Sequence, residues 1–172
     1  MLSALPAMPH AGPLRFKDYV LAPFQRRAAG ALDAGADVLV AAPTGTGKTL
    51  VAEYAIHAAL QRGQRAIYTS PIKALSNQKF RDFRAQGIDV GLLTGDVTIH
   101  PRAQVLIMTT EILRNLLYDA AGGEIDVRLD TLGLVIMDES QYIADPERGV
   151  VWEETIIFCP TQARLLLLSA SI

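Results

Sequence analysis

Cysteine is nearly missing from this sequence: Cys159 stands alone in 172 residues. A lone thiol excludes an internal disulfide and fits a reducing cytosol, so a cytoplasmic location is expected. Cys159 itself reads as a small buried side chain. Histidine is scarce too, with three in all. His57 falls in a helical stretch with no partner at metal-ligand spacing and reads as structural. Half of the residues are apolar, yet no run approaches the roughly 20 residues that span a bilayer, so no membrane partner is expected. Neither sign of charge dominates, and the net charge is −2. The overall field therefore attracts no nucleic acid, and any that binds is gripped by local donors. Repeats and low-complexity segments are absent. Residues 1–13 hold three prolines and lack the basic start and apolar core of a signal peptide. They read as a flexible N-terminal tail before one domain over residues 14–172.

What the chain does have is Val38-Leu39-Val40-Ala41-Ala42-Pro43-Thr44-Gly45-Thr46-Gly47-Lys48-Thr49. An apolar strand runs through a turn of small residues to a Lys-Thr pair that opens a helix. Gly45 and Gly47 let the backbone turn tightly and point N–H groups inward. The helix start adds free donors and partial positive charge. Lys48 can reach the β- and γ-phosphates of a nucleotide, and the Thr49 hydroxyl can ligate Mg²⁺. Ala42 stands where the strict P-loop pattern has glycine; Gly47-Lys48-Thr49 after an apolar strand is intact.

Short apolar runs recur at Val38–Ala41, Ala66–Thr69, Val90–Leu93, Val105–Met108, Leu134–Met137 and Leu165–Leu168. They are apolar on both faces, as buried parallel strands are, and helical stretches separate them. This predicts a three-layer α/β domain with its ligand at the carboxyl ends of the strands. Before the cradle, the Gln25 amide can make the two bonds that an adenine edge needs, and Tyr19 can stack on the ring. The alternative is a solvated glutamine and a packed tyrosine.

Three further strand ends carry hydroxyls and exposed amides. Ser70-Pro71 suits a helix N-cap and first helical residue, and the same geometry presents Lys73 to a phosphate. Lys79, Arg81 and Arg84 continue that helix, where a solvated face is the plain reading. Thr94-Gly95-Asp96 reads as a tight turn. Thr109-Thr110-Glu111 opens a helix over Ile112–Tyr118, with a threonine cap. Three such ends on one rim suggest a track for a sugar-phosphate backbone. The strand Leu132–Met137 then ends in Asp138-Glu139-Ser140-Gln141. Asp138 can hold Mg²⁺ through its water shell, and Glu139 can act as general base on a water. A helix over Val150–Phe158 and a last strand follow, which delivers Ser169-Ala170-Ser171 to the same rim.

Together these blocks resemble the first RecA-like domain of a superfamily-two helicase of the DExH type. Phe24-Gln25 resembles its adenine-reading motif, Ala42 to Thr49 motif I, Ser70 to Lys79 motif Ia and Thr94-Gly95-Asp96 motif Ib. Thr109 to Leu113 resembles the next RNA-contact motif, Asp138 to Gln141 motif II and Ser169 to Ser171 motif III. Two longer blocks, Pro71 to Lys79 and Glu147 to Thr155, are similar to the superkiller-like RNA helicases that feed exosome-type RNA decay. The resemblance covers about residues 16–172. It implies ATP and Mg²⁺ as cofactors, with hydrolysis coupled to 3′-to-5′ movement on single-stranded RNA. It implies ATP contacts from Tyr19, Phe24, Gln25 and Pro43 to Thr49. Phosphates of the RNA would meet Pro71, Lys73, Thr94, Gly95, Thr109 and Thr110. Gln141, Ser169 and Ser171 would couple the two.

In the family, motif II usually ends in histidine, where Gln141 stands here, and motif III in threonine, where Ser171 keeps the hydroxyl. The family's second RecA-like domain and its arginine fingers are not among these residues. An arginine finger contributes roughly 10³–10⁵ in rate in other P-loop enzymes. The expectation is weak ATP binding, very slow hydrolysis and no unwinding by these residues alone. Alternatives are a non-hydrolysing nucleotide- and RNA-binding module, or a motor on DNA, since phosphate contacts do not sense the 2′-hydroxyl.

Overall fold

Apolar strands and the helices between them follow one another in the order that alternation demands. The computed structural model describes residues 12–43, 45, 47–122, 129–144 and 149–170. The expectations for residues 1–11, Thr44, Thr46, Glu147, Arg148 and Ser171 lie outside the described residues. In chain order come β1 (Arg15–Phe16), β2 (Tyr19–Val20), α1 (Pro23–Asp33), β3 (Val38–Ala41) and α2 (Lys48–Gln61). Then follow β4 (Arg65–Ser70), α3 (Lys73–Ala85), β5 (Val90–Leu93), β6 (Thr98–Ile99) and β7 (Val105–Thr109). The chain continues with α4 (Thr110–Gly122), β8 (Leu132–Met137), a 3-10 turn (Ser140–Ala144), α5 (Gly149–Phe158) and β9 (Arg164–Ser169).

The expected three-layer α/β architecture is present. A seven-stranded sheet runs β3-β9-β8-β4-β7-β5-β6, parallel except for the β5–β6 pair. Side chains alternate between its faces. Val105, Ile107, Leu134, Ile136, Leu166 and Tyr68 pack with residues of α1, α2 and α3 on one face. Leu106, Met108, Val135, Met137 and Ile67 pack with Leu113 of α4 and Trp152 of α5 on the other. The β3 strand departs from the expectation of burial on both faces. It lies at the sheet edge, where Val40 is buried and Leu39 is exposed. No helix among the described residues is long and apolar enough to cross a membrane.

Register decides what the rim carries. Leu93, Met108, Thr69, Met137 and Leu167 stand level across five neighbouring strands. One residue further along stand Thr94, Thr109, Ser70 and Asp138, so four separate motifs meet at one height.

Three local expectations are corrected. Ser70 and Pro71 do not start α3, which begins at Lys73 after an extended Ile72. Ser70 stays paired with Thr109 in the sheet, and its hydroxyl is engaged with Ser76 Oγ and Ile72 O. It therefore stands in the sheet and not at the N-cap position, which Ile72 occupies. The helix expected over Ile112–Tyr118 runs from Thr110 to Gly122. Strands β1, β2 and β6 were not foreseen, because two-residue strands are too short to show a period. At the β5–β6 hairpin Gly91 lies so close to β6 that a Cβ would meet His100 O at 2.1 Å.

Candidate nucleotide and nucleic-acid site

The cradle is shaped by two left-handed glycines. Gly45 has φ +85° and Gly47 φ +94°, a region that glycine enters without a Cβ penalty. Gly47 is the residue before α2, and no side chain caps that helix start. Its N–H groups are thus left for a ligand. Lys48 Nζ donates to Ala42 O at 2.6 Å and to Ser169 O at 2.9 Å. The ammonium thereby bridges the ends of β3 and β9. Thr49 is exposed at the second position of α2, and Pro43 is exposed in the turn.

Gln25 is 7% exposed and fully committed to backbone. Its Oε1 accepts from Ala22 N at 2.7 Å, and its Nε2 donates to Gly47 O at 3.0 Å. The first bond is half of a capping box at the start of α1. The second ties α1 to the cradle. The two amide bonds expected for adenine are made here within the chain. Phe24 packs against the core, while Tyr19 is 60% exposed on the β1–β2 hairpin. That hairpin is held to α2 by Lys17, 2.7 Å from Glu53.

Asp138 follows β8. Its Oδ1 accepts from Glu139 N at 2.8 Å, and its Oδ2 accepts from the Tyr68 hydroxyl. Glu139 takes a left-handed backbone, φ +57°, uncommon for a side chain of its size. The two carboxylates have different partners, Tyr68 and the Glu139 N–H for Asp138 and Gln141 for Glu139. Gln141 Nε2 donates to Glu139 Oε2, and Gln141 Oε1 accepts from Ala170 N at 3.2 Å. One amide thus links Glu139 to the end of β9.

Tyr68 had no functional place in the sequence reading. The signal was there: a tyrosine inside an apolar strand needs a partner for its hydroxyl. It is 2% exposed. Burial, then the neighbouring Asp138 carboxylate, hold its hydroxyl well above the ordinary tyrosine range.

At the other strand ends, Thr94 Oγ1 accepts from Asp96 N at 3.3 Å and from Val97 N at 3.1 Å. This closes the Thr94-Gly95-Asp96 turn as expected. Lys73 is exposed and paired with the exposed Asp96 of the Thr94-Gly95-Asp96 turn, so its charge is shared with a carboxylate. Thr109 Oγ1 accepts from Ile112 N at 3.3 Å as the α4 cap. Thr110 is only 3% exposed, and its hydroxyl has no hydrogen-bond partner. Pro71 is half-buried at the end of β4. His57 packs against Phe16.

The donor set for a cation is the Thr49 hydroxyl and the Asp138 carboxylate, both hard oxygens. No cluster of three acidic, histidine or cysteine side chains suited to a metal exists among the described residues. Mg²⁺ in nucleotide sites needs no such cluster, since it keeps several waters and takes phosphate oxygens. The residues fit it.

Residues 22–172 match the family model for the DEAD/DEAH box helicase. The chain is 58% identical over 149 residues to superkiller complex protein 2 of Homo sapiens, covering 87% of this chain and 12% of that protein. It is 52% identical over 170 residues to exosome RNA helicase MTR4 of Homo sapiens, covering 98% and 16%. It is 50% identical over 167 residues to the DExH-box ATP-dependent RNA helicase DExH9 of Arabidopsis thaliana, covering 97% and 16%. The chain thus spans about one-eighth to one-sixth of these relatives. Among solved structures, a DUF1998 helicase, MrfA, bound to DNA and AMPPNP has a similar fold. The match has a TM-score of 0.71 at 19% identity and covers 90% of this chain and 24% of that one.

Proposed function

The chain belongs to the DEAD/DEAH box helicase family, and from that premise we propose that residues 14–172 form the ATP-hydrolysing half of an RNA helicase motor. The observation that supports this most is the register that brings Asp138, Ser70, Thr109 and Thr94 to one level beside the cradle. Phosphate chemistry and a backbone track then share one rim.

In this reading the turn from Pro43 through Thr44, Gly45, Thr46 and Gly47 surrounds the phosphates of ATP with backbone N–H groups. Lys48 exchanges Ala42 O and Ser169 O for the β- and γ-phosphate oxygens. Thr49 and Asp138 hold Mg²⁺, which neutralises charge on those oxygens when bound. Glu139 orients the attacking water and accepts its proton, and ADP and phosphate result. Tyr19, Phe24 and Gln25 receive the adenine, with Gln25 trading its bonds to Ala22 and Gly47 for the base edge. Gln141, Ser169 and Ser171 relay the state of Glu139 to a second RecA-like domain, in the same longer chain or a partner. Pro71, Lys73, Thr94, Gly95 and Thr109 line the track for single-stranded RNA. Thr110 joins them through its backbone, since its side chain is buried. RNA is favoured over DNA because relatives at 52% and 58% identity carry RNA helicase and superkiller names.

The test is the ATPase rate with and without single-stranded RNA, for this chain and for a longer chain that continues past Ile172. The expected outcome is RNA-stimulated turnover in the longer chain alone. Glu139→Gln there should lower hydrolysis by roughly 10²–10⁴ while nucleotide binding persists. Stimulation by DNA and not RNA would overturn the choice of track. Binding without any turnover in either chain would favour a non-hydrolysing module.

A further inference from the structure

Asp138 is held at two points, and one of them comes from a strand that no nucleotide motif includes. We propose that Tyr68 is a positioning residue for the Mg²⁺ site: its hydroxyl fixes the plane of the Asp138 carboxylate. The inference rests on the Mg²⁺–nucleotide reading and deepens it.

An aspartate carboxylate rotates broadly about its last torsion. Glu139 N–H binds Oδ1, and a single bond leaves that rotation available. The Tyr68 hydroxyl on Oδ2 adds the second point. Each oxygen retains a lone pair for the water shell of the cation. Groups behind a metal ligand set its orientation in this way, and the ligand works less well without them.

Tyr68 is itself immobilised. Its ring meets that of Phe83 edge to face, with centroids 5.7 Å apart and planes at 86°. Lys79 Nζ lies 5.5 Å from the Tyr68 ring centre and 5.8 Å from that of Phe83. An open cleft between α3 and the β4 and β8 ends is lined by Tyr68, Lys79, Asp82, Asp138 and Glu139. Without the hydroxyl, Asp138 has room to turn into that cleft and away from the cradle. Phe83 and Lys79 both belong to α3, the helix that starts at Lys73. The clamp on Tyr68 is therefore part of the same helix as a candidate RNA contact.

The experiment measures binding and not turnover. A fluorescent ADP is titrated into wild type, Tyr68→Phe, Asp138→Asn and the double variant, in EDTA and in Mg²⁺. Binding of Mn²⁺ in the presence of ADP is followed in parallel by electron paramagnetic resonance. Phenylalanine keeps the ring packing, so Tyr68→Phe should match wild type in EDTA and in its circular dichroism. In metal it should show about 10-fold weaker Mn²⁺ binding and a correspondingly smaller gain of ADP affinity. The same change in the Asp138→Asn background should add nothing. Wild-type metal dependence in Tyr68→Phe would overturn the inference, and so would an additive loss in the double variant. Weakened binding in EDTA would show that the hydroxyl supports the fold and not the metal site, and would overturn the inference. A wild-type chain that binds no nucleotide with or without metal would overturn the nucleotide reading and this inference with it.

Discussion

Lys48 carries two charge-assisted bonds to carbonyls at 2.6 and 2.9 Å, and a triphosphate must compete for them. Each such bond contributes about 1.5–3 kcal/mol. Lys48→Ala is expected to weaken ATP binding by roughly a hundredfold or more, read by fluorescent-nucleotide titration. Cys159 makes a prediction of the opposite kind. Burial, then the Asp37 carboxylate, push its thiol up to about 12. Cys159 is half-buried, and thiol reagents at pH 8 should therefore label it far more slowly in the folded chain than in the unfolded one. Tyr54 is likewise raised to about 12, by burial and then by its bond to Asp33. Both groups are raised, so the neutral form is the one that the fold favours. Their stabilisation is whole below the unfolded values, near 9 for the thiol and 10 for the phenol. It is lost as pH rises towards about 12. Denaturant midpoints should fall across that window, and Cys159→Ala together with Tyr54→Phe should flatten the fall.

At the scale of elements, the join between β3 and α2 depends on Gly47. A Cβ there would sit 2.4 Å from Gln25 Nε2, at a φ of +94°. Gly47→Ala combines a clash with backbone strain of about 1–3 kcal/mol. Thermal denaturation should show that loss, and nucleotide binding should weaken because the tie between α1 and the cradle is pushed apart. The 3-10 turn after β8 carries the other join. Gln141 spans Glu139 Oε2 and Ala170 N, so Gln141→Ala should leave nucleotide affinity intact. RNA stimulation of the ATPase in the longer chain should fall severalfold. Equal stimulation in the variant would show that the link carries no coupling. Gly91→Ala should open the β5–β6 hairpin, because the obstructing atom is the His100 backbone oxygen.

For the whole molecule, the strand order determines what the rim can do. The cradle strand β3 is at the edge, β9 and β8 follow, and β4, β7 and β5 extend the rim away from it. Neighbouring strands are about 4.8 Å apart, so Asp138 and Thr94 end three strand spacings, roughly 14 Å, from each other. A nucleotide at one end and a backbone track at the other fit on one surface. Phosphate contacts are screened by salt, so RNA affinity in the longer chain should fall linearly in log–log form as salt rises. Replacing Lys73 with alanine should reduce that slope by about one ion, read by fluorescence anisotropy.

Much was legible along the chain. The strands β4, β5, β7, β8 and β9 could be read from apolar runs, because burial in a sheet covered on both faces demands such runs; β3 could be read the same way although it lies at the edge. Gly45, Gly47, Lys48 and Asp138 could be picked out as candidates because phosphate and Mg²⁺ chemistry requires those types in that order. Partnerships between distant residues could not be read. Tyr68 and Asp138 lie 70 positions apart, Lys48 and Ser169 121. They meet only because β8 and β9 insert between β3 and β4. The burial of Thr110, the commitment of Gln25 to Gly47 and the exposure of Leu39 at the edge are likewise settled only by contacts of the folded chain. Spacing along the chain sets which chemistry is present, by the geometry of a strand, a turn and a helix start. Strand order and register set which of those groups share a contact, and that is a property of the assembled sheet.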